Sequence, residues 1–203
     1  MIKNIIFDFG DIFINLDKKH FAKELQNLGI NQDDATIIRV LNDYEMGLIS
    51  TKEFLYYFEE KLEIPSAILK KAWNSILRDF PEHRLQFIQK LASEKKYRLF
   101  LLSNTNDLHI SWIQERWGID LYNQFKNCFE AFYLTHEINF RKPNLDIYQF
   151  VLKKHNLKAT ETLFIDDTKE NTEAAKSVGL KVWNLTPGKE DVTQLFTTKK
   201  HLF

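Results

Sequence analysis

The chain begins with an apolar segment, residues 2–7, which is interrupted only by Lys3 and Asn4 and ends at Asp8. A run of this kind is typical of a strand buried on both faces of a parallel sheet. Because an unpaired buried carboxylate is costly, we expect Asp8 just past the carboxyl end of the strand and next to a partner. Taken alone, Asp8 and Gly10 are interpreted more simply as a turn that terminates the strand.

Between residues 18 and 77 the apolar positions recur at helical spacing, and no segment has the pattern of a parallel strand. Four short amphipathic helices account for this region. Asn31 can cap the second, residues 50–53 form a capping box for the third, and Pro65 can begin the fourth. Such helices can bury their apolar faces on one another, so the pattern predicts a small helical bundle.

After Pro81 the pattern alternates between helices and apolar strands, and the tail beyond residue 188 is short, polar and predicts no element. Alternation of this kind indicates a doubly wound parallel α/β sheet. Right-handed crossovers then bring the carboxyl ends of all strands to one edge. Besides the first strand, we predict strands at residues 97–102, 131–134, 162–165 and 181–185.

The helical region interrupts the α/β pattern between the first strand and the helix that precedes the second. We therefore predict a Rossmann-like core formed by residues 1–16 and 80–203. Residues 17–79 would form an all-helical cap of the four-helix-bundle type that overhangs the carboxyl edge of the sheet. A chain of 203 residues is long enough for one domain with such an insertion.

Polar side chains follow the predicted strands at four places. Each place has an ordinary explanation, because Ser-Asn often caps a helix, a lysine before proline is usually solvated, and Asp-Asp can cap the next helix. All four are nevertheless expected at the same edge of the sheet. The residues are Asp8, Ser103 with Asn104, Lys142, and Asp166 with Asp167.

The chemistry of these groups is complementary. Asp8, Asp166 and Asp167 could not all remain ionised at close range without a cation. Oxygen ligands with no histidine or cysteine nearby favour Mg²⁺. Ser103 and backbone N–H groups at a helix start can bind an anion, and a lysine adds a compact positive charge. Together these groups predict a Mg²⁺-dependent phosphoryl-transfer site.

The composition limits the kinds of binding partner that we expect. Lys plus Arg and Asp plus Glu each number 28, so zero net charge gives no case for nucleic acid or an anionic membrane. No apolar run is long enough to span a bilayer. Cys128 is the only cysteine, which is consistent with a reducing cytoplasm. The expected partner is a small-molecule phosphate ester, and monomer and homodimer both remain open.

Four ordered motifs lie at residues 7–12 (FDFGDI), 101–106 (LLSNTN), 141–143 (RKP) and 164–171 (FIDDTKEN), with the predicted helical cap between the first two. These motifs resemble those of the haloacid dehalogenase (HAD) superfamily, and the resemblance covers essentially the whole chain. Within the superfamily, the chain resembles the branch that contains bacterial α-glucose-1-phosphatase. The N-terminal phosphatase domain of soluble epoxide hydrolase is a more distant likeness.

The resemblance implies a set of metal ligands. Asp8, the backbone carbonyl of Gly10 and Asp167 would bind Mg²⁺, with Asp166 as a further ligand or a neighbour. Asn171 falls where a carboxylate is commoner in the superfamily and would orient a loop or a metal-bound water.

It also implies catalytic and phosphate-binding roles. Asp8 would attack phosphorus and form an aspartyl-phosphate. Ser103 and the N–H of Asn104 would hold phosphate oxygens, and Lys142 would pair with Asp8 and the phosphate.

Gly10 departs from the superfamily pattern. Most phosphatases of the superfamily carry a second Asp there as general acid and base, a function worth roughly 10²- to 10⁴-fold in rate. The glucose-1-phosphatase branch also has glycine, and an anomeric oxygen is a leaving group that depends less on protonation. Asp11, His109 or a cap residue is the alternative proton donor, although a residue adjacent to Gly10 normally points the other way.

The cap would select the substrate by closing over the site. Tyr44, within the polar and aromatic stretch 42–47, is the candidate contact, although it also fits the apolar stripe of its helix. The leading hypothesis is a Mg²⁺-dependent phosphatase of small metabolites such as sugar phosphates. The alternatives are a metal-independent dehalogenase-type hydrolase, a phosphomutase and a non-catalytic phosphometabolite-binding protein.

Overall fold

Five parallel strands form a single sheet in the computed structural model, which describes residues 1–203. Their order is β3-β2-β1-β4-β5, and Phe7 of β1 lies opposite Leu101 of β2 and Ile165 of β4. The predicted doubly wound α/β sheet is confirmed, and the predicted strand bounds are correct to within about two residues. The strands are β1 (Asn4–Phe7), β2 (Arg98–Ser103), β3 (Ala131–Leu134), β4 (Thr162–Asp166) and β5 (Lys181–Asn184).

Eleven α-helices accompany the sheet. The first four lie between β1 and the helix that precedes β2, as the sequence pattern predicts. None of the helices is both long and apolar enough to cross a membrane. The helices are α1 (Lys18–Asn27), α2 (Ala35–Glu45), α3 (Thr51–Leu62), α4 (Ser66–Asn74), α5 (Glu82–Glu94), α6 (Asp107–Trp117), α7 (Ile119–Lys126), α8 (Thr135–Ile138), α9 (Leu145–Lys154), α10 (Lys169–Ser177) and α11 (Leu195–Thr198).

The two faces of the sheet belong to two separate apolar clusters. Ile5 and Phe7 face one cluster and Ile6 faces the other, because successive side chains of a strand point to opposite faces. All three side chains are fully buried. The continuous apolar run that opens the chain is therefore a central strand covered on both sides.

Helices α1–α4 bury a third apolar cluster, to which α6 contributes only Leu108. The capping box at Ser50 and Glu53 forms as expected, and α2 begins from a different cap. Asp34 caps α2, whereas Asn31 accepts a hydrogen bond from the backbone N–H of Asp33. The cap and core boundaries at residues 16/17 and 79/80 stay a prediction.

The tail is the part of the fold for which the sequence pattern gives no prediction. A 3₁₀ turn at Val192–Gln194 and helix α11 follow β5, and Val192 and Leu195 are fully buried. Buried Arg84 of α5 donates to the Asp191 carboxylate at 2.9 Å and ties the tail to the core. Only a few apolar residues make these contacts, too few to produce a recognisable period.

Candidate active site

Three carboxylates meet where the two central strands end. Asp8 follows β1 directly, Asp166 is the last residue of β4, and Asp167 follows it. One oxygen from each carboxylate lies within 4.8 Å of the others. The backbone N–H of Asp8 donates to the carbonyl of Ile165 at 2.8 Å, so the strand pairing itself holds the first two carboxylates side by side.

Lys142 provides the buried positive charge of this cluster. Its side chain is 1% exposed, and its Nζ lies 2.7 Å from Asp8 Oδ1 and 2.7 Å from Asp166 Oδ2. Asn104, just after β2, holds the backbone of Lys142 on both sides. The Asn104 Nδ2 donates to the Lys142 carbonyl at 2.9 Å, and the Lys142 N–H donates to Asn104 Oδ1 at 3.0 Å.

Both carboxylate oxygens of Asp166 are hydrogen-bonded within the protein. Besides Lys142, it accepts hydrogen bonds from the backbone N–H of Thr168 at 2.8 Å and from Nδ2 of Asn171 at 3.1 Å to each oxygen. It is fully buried, whereas Asp8 and Asp167 line an open cavity. The geometry therefore favours Asp8 and Asp167 as the carboxylates available to a cation, with Asp166 positioning Lys142.

The cluster shifts the protonation of its members. Burial raises the pKa of Asp8 to about 7, Asp166 and Asp167 reinforce this, and Lys142 opposes it. Burial alone would lower the pKa of Lys142, but Asp166 and Asp8 outweigh it and hold that pKa above its ordinary value. Lys142 is thus charged at neutral pH. A further positive charge beside Asp8 would stabilise the ionised form of its carboxyl group.

The donor set fits a hard divalent cation. Asp8 and Asp167 offer carboxylate oxygens, and the carbonyl of Gly10, which lines the same cavity, accepts no hydrogen bond within the protein. No histidine or cysteine lines the cavity. An all-oxygen set with room for water is the environment that Mg²⁺ prefers.

Ser103 and Asn104, the predicted phosphate-binding residues at the end of β2, differ in their access to the cavity. Asn104 lines the cavity, and its backbone N–H has no acceptor within the protein, so it can donate to an anion. Ser103 is buried at the end of the strand and does not line the cavity. Its hydroxyl lies 3.5 Å from the carbonyl oxygen of Asn104.

Leu16 takes up the space next to Gly10. A Cβ added at Gly10 would lie 2.7 Å from Cδ1 of Leu16. Asp11 lies beside this position, but its carboxylate accepts from the Leu16 N–H at 3.0 Å and lies 2.9 Å from the Lys18 ammonium. Asp11 does not line the cavity. An apolar side chain therefore occupies the space that a side chain at position 10 would enter.

His109 is also remote from the cavity. One ring nitrogen lies 3.1 Å from the carbonyl oxygen of Trp73 and the other 3.2 Å from Nδ2 of Asn106, and the ring stacks on the Trp73 indole. Burial lowers the pKa of His109 to about 4, so the ring is neutral at physiological pH. Its contacts are those of a structural link between α4 and α6.

The cavity at the carboxylates has a volume of about 430 Å³, and Leu16 is its only hydrophobic lining residue. A larger cavity of about 840 Å³ lies along α1 and the loop that follows it, and no predicted site residue lines that one. Of the sequence-predicted site residues, the smaller cavity brings together Asp8, Gly10, Asn104, Lys142, Asp167 and Asn171.

Four charged residues that sequence reasoning did not single out also line this cavity: Lys18, Glu45, Arg141 and Glu170. The sequence does contain a signal that could have identified Arg141 as a site residue, because it adjoins Lys142 in the third motif. Glu45 lies in the stretch 42–47, from which only Tyr44 was selected. Lys18 bonds to Asp167 and Asp11, yet nothing in the local sequence distinguishes it from other surface lysines.

Tyr44 lies in the apolar cluster of the first four helices and does not reach the carboxylates. Its ring stacks on Phe54 at 4.1 Å between ring centroids. Its hydroxyl lies 3.0 Å from Thr51 Oγ1 and accepts from the Leu108 N–H at 3.2 Å. Tyr44 lines a different cavity of about 310 Å³. The helical spacing of Tyr44 therefore reflects packing within the bundle.

The chain combines a five-stranded parallel sheet, helices inserted after the first strand, and three carboxylates at one edge of the sheet, two of which contact a buried lysine. The chain belongs to the haloacid dehalogenase-like hydrolase family, which it matches over residues 2–179. Its placement in the α-glucose-1-phosphatase branch stays a prediction.

Similar proteins and structures extend over nearly the whole chain. D-ribitol-5-phosphate phosphatase of Bacteroides thetaiotaomicron is 27% identical over 190 residues, covering 90% of this chain and 91% of that protein. Glyceraldehyde 3-phosphate phosphatase of Methanocaldococcus jannaschii is 25% identical and covers 93% and 87%. The magnesium complex of a HAD-family enzyme from Bacteroides thetaiotaomicron is 32% identical, with a TM-score of 0.82 and coverage of 96% and 98%.

Proposed function

We propose that this protein is a Mg²⁺-dependent phosphatase that hydrolyses small phosphorylated metabolites, sugar or polyol phosphates among them, through an aspartyl-phosphate on Asp8. The observation that carries the proposal is the position of Asp8, which contacts the buried Lys142 and shares an open, polar cavity with Asp167. Two similar proteins are phosphatases of D-ribitol 5-phosphate and glyceraldehyde 3-phosphate, which supports this class of substrate.

The residues that would hold the metal are Asp8, Asp167 and the carbonyl of Gly10. When bound, Mg²⁺ would supply positive charge to the phosphate oxygens and to the crowded carboxylates. The magnesium and inorganic phosphate complex of a similar HAD-family enzyme, 30% identical to this chain, supports the pairing of this cation with phosphate.

The covalent step follows from the contacts of Asp8. Lys142 engages Oδ1 of Asp8, which leaves Oδ2 to attack phosphorus. A bond forms between Asp8 and phosphorus while the bond to the ester oxygen breaks, and that oxygen takes a proton from solvent and leaves as the alcohol. Water then attacks phosphorus and gives up a proton to solvent while the bond between Asp8 and phosphorus breaks, so inorganic phosphate is released and the carboxylate is restored.

Charge that spreads over the phosphoryl oxygens in these steps would be stabilised by groups already in place. Lys142 and Asn104 both line the cavity, so the Lys142 ammonium and the free backbone N–H of Asn104 would need little reorganisation. Ser103 does not line the cavity. Because Gly10 carries no carboxyl group and neither Asp11 nor His109 lines the cavity, substrates whose leaving oxygen needs little protonation would be favoured.

The test is phosphate release from p-nitrophenyl phosphate, with Mg²⁺ and with excess EDTA, for the wild type and Asp8→Asn. We expect turnover only with Mg²⁺ and its loss in Asp8→Asn, while Asp120→Asn on the exposed surface of α7 retains activity. Turnover by Asp8→Asn would exclude Asp8 as the nucleophile. Full turnover in EDTA would favour the metal-independent hydrolase, and phosphate binding without turnover across a broad panel would favour the binding protein.

A further inference from the structure

An ion pair crosses the mouth of the cavity and joins elements far apart in sequence. Glu45 is the last residue of α2, and Arg141 lies in the loop between α8 and α9. The Arg141 Nε donates to Glu45 Oε2 at 2.8 Å, and both side chains line the cavity. They are 29% and 26% exposed, so both remain accessible to a bound molecule.

The backbone next to Glu45 is docked tightly on the core. The side chain of Asn139 donates to the carbonyl of Met46 at 2.8 Å. Gly47 has a φ of +67°, and a Cβ there would lie 2.0 Å from the carbonyl oxygen of His136. These contacts hold the end of α2 at a defined distance from the loop that carries Arg141.

Arg141 also contacts the loop that presents the catalytic lysine. Its Nη1 donates to the carbonyl of Lys142 at 3.2 Å, and the Nζ of Lys142 contacts Asp8. The ion pair therefore lies beside the phosphate position without contacting the nucleophile itself. This is where the organic part of a phosphate ester would lie.

No positive charge in this outer part of the cavity lacks a partner. Glu45 pairs with Arg141, Asp11 and Asp167 pair with Lys18, and Glu170, which also lines the cavity, has no ion-pair partner. A second anionic group on the substrate would lie near the Glu45 carboxylate, and this like-charge contact is costly. Arg141 would not be free to compensate it, because Arg141 is already paired with Glu45. Hydroxyl groups could instead donate to Glu45 and accept from Arg141.

We propose that Glu45 and Arg141 form a specificity element that selects neutral, hydroxyl-bearing phosphate monoesters over esters that carry a second anionic group. The inference rests on the proposed phosphatase function and adds to it the charge of the preferred substrate. The cavity lining is polar, with Leu16 as its only hydrophobic residue, which disfavours apolar esters and also supports hydroxyl-bearing substrates.

The test compares two esters of the same carbon number, glycerol 3-phosphate and 3-phosphoglycerate, which differ by a hydroxymethyl group in place of a carboxylate. We expect the wild type to have the higher kcat/KM on glycerol 3-phosphate. Glu45→Gln keeps the size of the side chain and frees the charge of Arg141. This should shift the ratio of kcat/KM values toward the acid by about tenfold or more.

Two further variants separate specificity from stability. Arg141→Gln leaves Glu45 unpaired and should shift the ratio the other way, whereas the double variant removes both charges and should return the ratio close to that of the wild type. Glu60→Gln, an exposed carboxylate on α3 with no ion-pair partner, is the matched control and should change nothing.

The outcomes distinguish this inference from the proposed function. A ratio that stays within about twofold of wild type in Glu45→Gln, or an equal loss on both esters, would overturn the specificity element while aryl phosphate turnover leaves the phosphatase standing. Aryl phosphate turnover with neither three-carbon ester hydrolysed would overturn it as well. Absence of turnover on every ester would overturn the proposed function and this inference together.

Discussion

Replacing Lys142 by Met tests whether its buried ammonium compensates the carboxylate cluster. Lys142 is 1% exposed and contacts both Asp8 and Asp166 at 2.7 Å, so the uncharged variant leaves two buried carboxylates without their counter-ion. Methionine preserves much of the apolar stem, which keeps the loss of packing small. The expected effect is therefore electrostatic.

The magnitude follows from the burial of the pair. Removing one partner of a buried ion pair costs roughly 3–5 kcal/mol, because the other charge stays buried and uncompensated. For a chain of this size, about 2–4 °C of Tm per kcal/mol gives a decrease of roughly 6–20 °C. Protonation of Asp8 relieves part of the cost, so the penalty should be larger at about pH 8 than at about pH 6.

The assay is urea unfolding in metal-free buffer. Lys169→Met is the control, because Lys169 is exposed and lies 3.5 Å from an exposed Glu173, a pair worth roughly 0.5 kcal/mol or less. Asp8→Asn completes a double-mutant cycle. In the Lys142→Met background it should restore stability, because it removes one of the uncompensated charges.

Two results would contradict this reasoning. The first is a decrease in unfolding free energy below about 1 kcal/mol for Lys142→Met, which is the range of exposed pairs. The second is a further decrease when Asp8→Asn is added to Lys142→Met. Either would show that Lys142 does not act as the counter-ion of Asp8.

Three further changes test other contacts. Gly47→Ala should destabilise the protein by clearly more than Gly29→Ala, because both glycines have positive φ but only a Cβ at Gly47 meets the backbone of His136; equal unfolding midpoints would refute this. Asp191→Asn should cost about 1 kcal/mol at neutral pH after allowance for solvent screening, since its hydrogen bonds and Arg84 outweigh burial and lower its pKa to about 2. A lowered acid pKa stabilises above about pH 4, so the cost should shrink as the pH falls from about 4 towards 2, and urea titrations that show a constant cost would refute the assignment. Lys18→Met should lower the unfolding free energy of the metal-free protein by roughly 1 kcal/mol, because it removes a counter-ion of Asp167, and added Mg²⁺ should recover part of the loss in a melting experiment.

Much of the site follows from local sequence. The apolar run before Asp8 predicts a central strand, and parallel strands place their carboxyl ends at one edge, so Asp8 and Asp166 are expected to be close before any contact is known. The structure places them there, with Lys142 between them. The spacing of apolar residues predicts which residues of a single strand or helix are buried. For residues at the carboxyl ends of parallel strands, this also predicts that they lie at the same edge of the sheet.

Tertiary packing decided which residues from outside the sheet lie at the cavity. Glu45 and Arg141 are 96 positions apart and meet only because the end of α2 docks on the core, with Gly47 against His136. Helical spacing marked Tyr44 as either a core residue or a contact, and the docking of α6 determined that it caps the Leu108 N–H. The sequence by itself determined the sheet and the shared position of Asp8 and Asp166, because both residues lie at the carboxyl ends of neighbouring parallel strands. Only the three-dimensional structure decided that Glu45 and Arg141 meet at the cavity, because that depends on contacts between segments whose local sequence patterns are independent of one another.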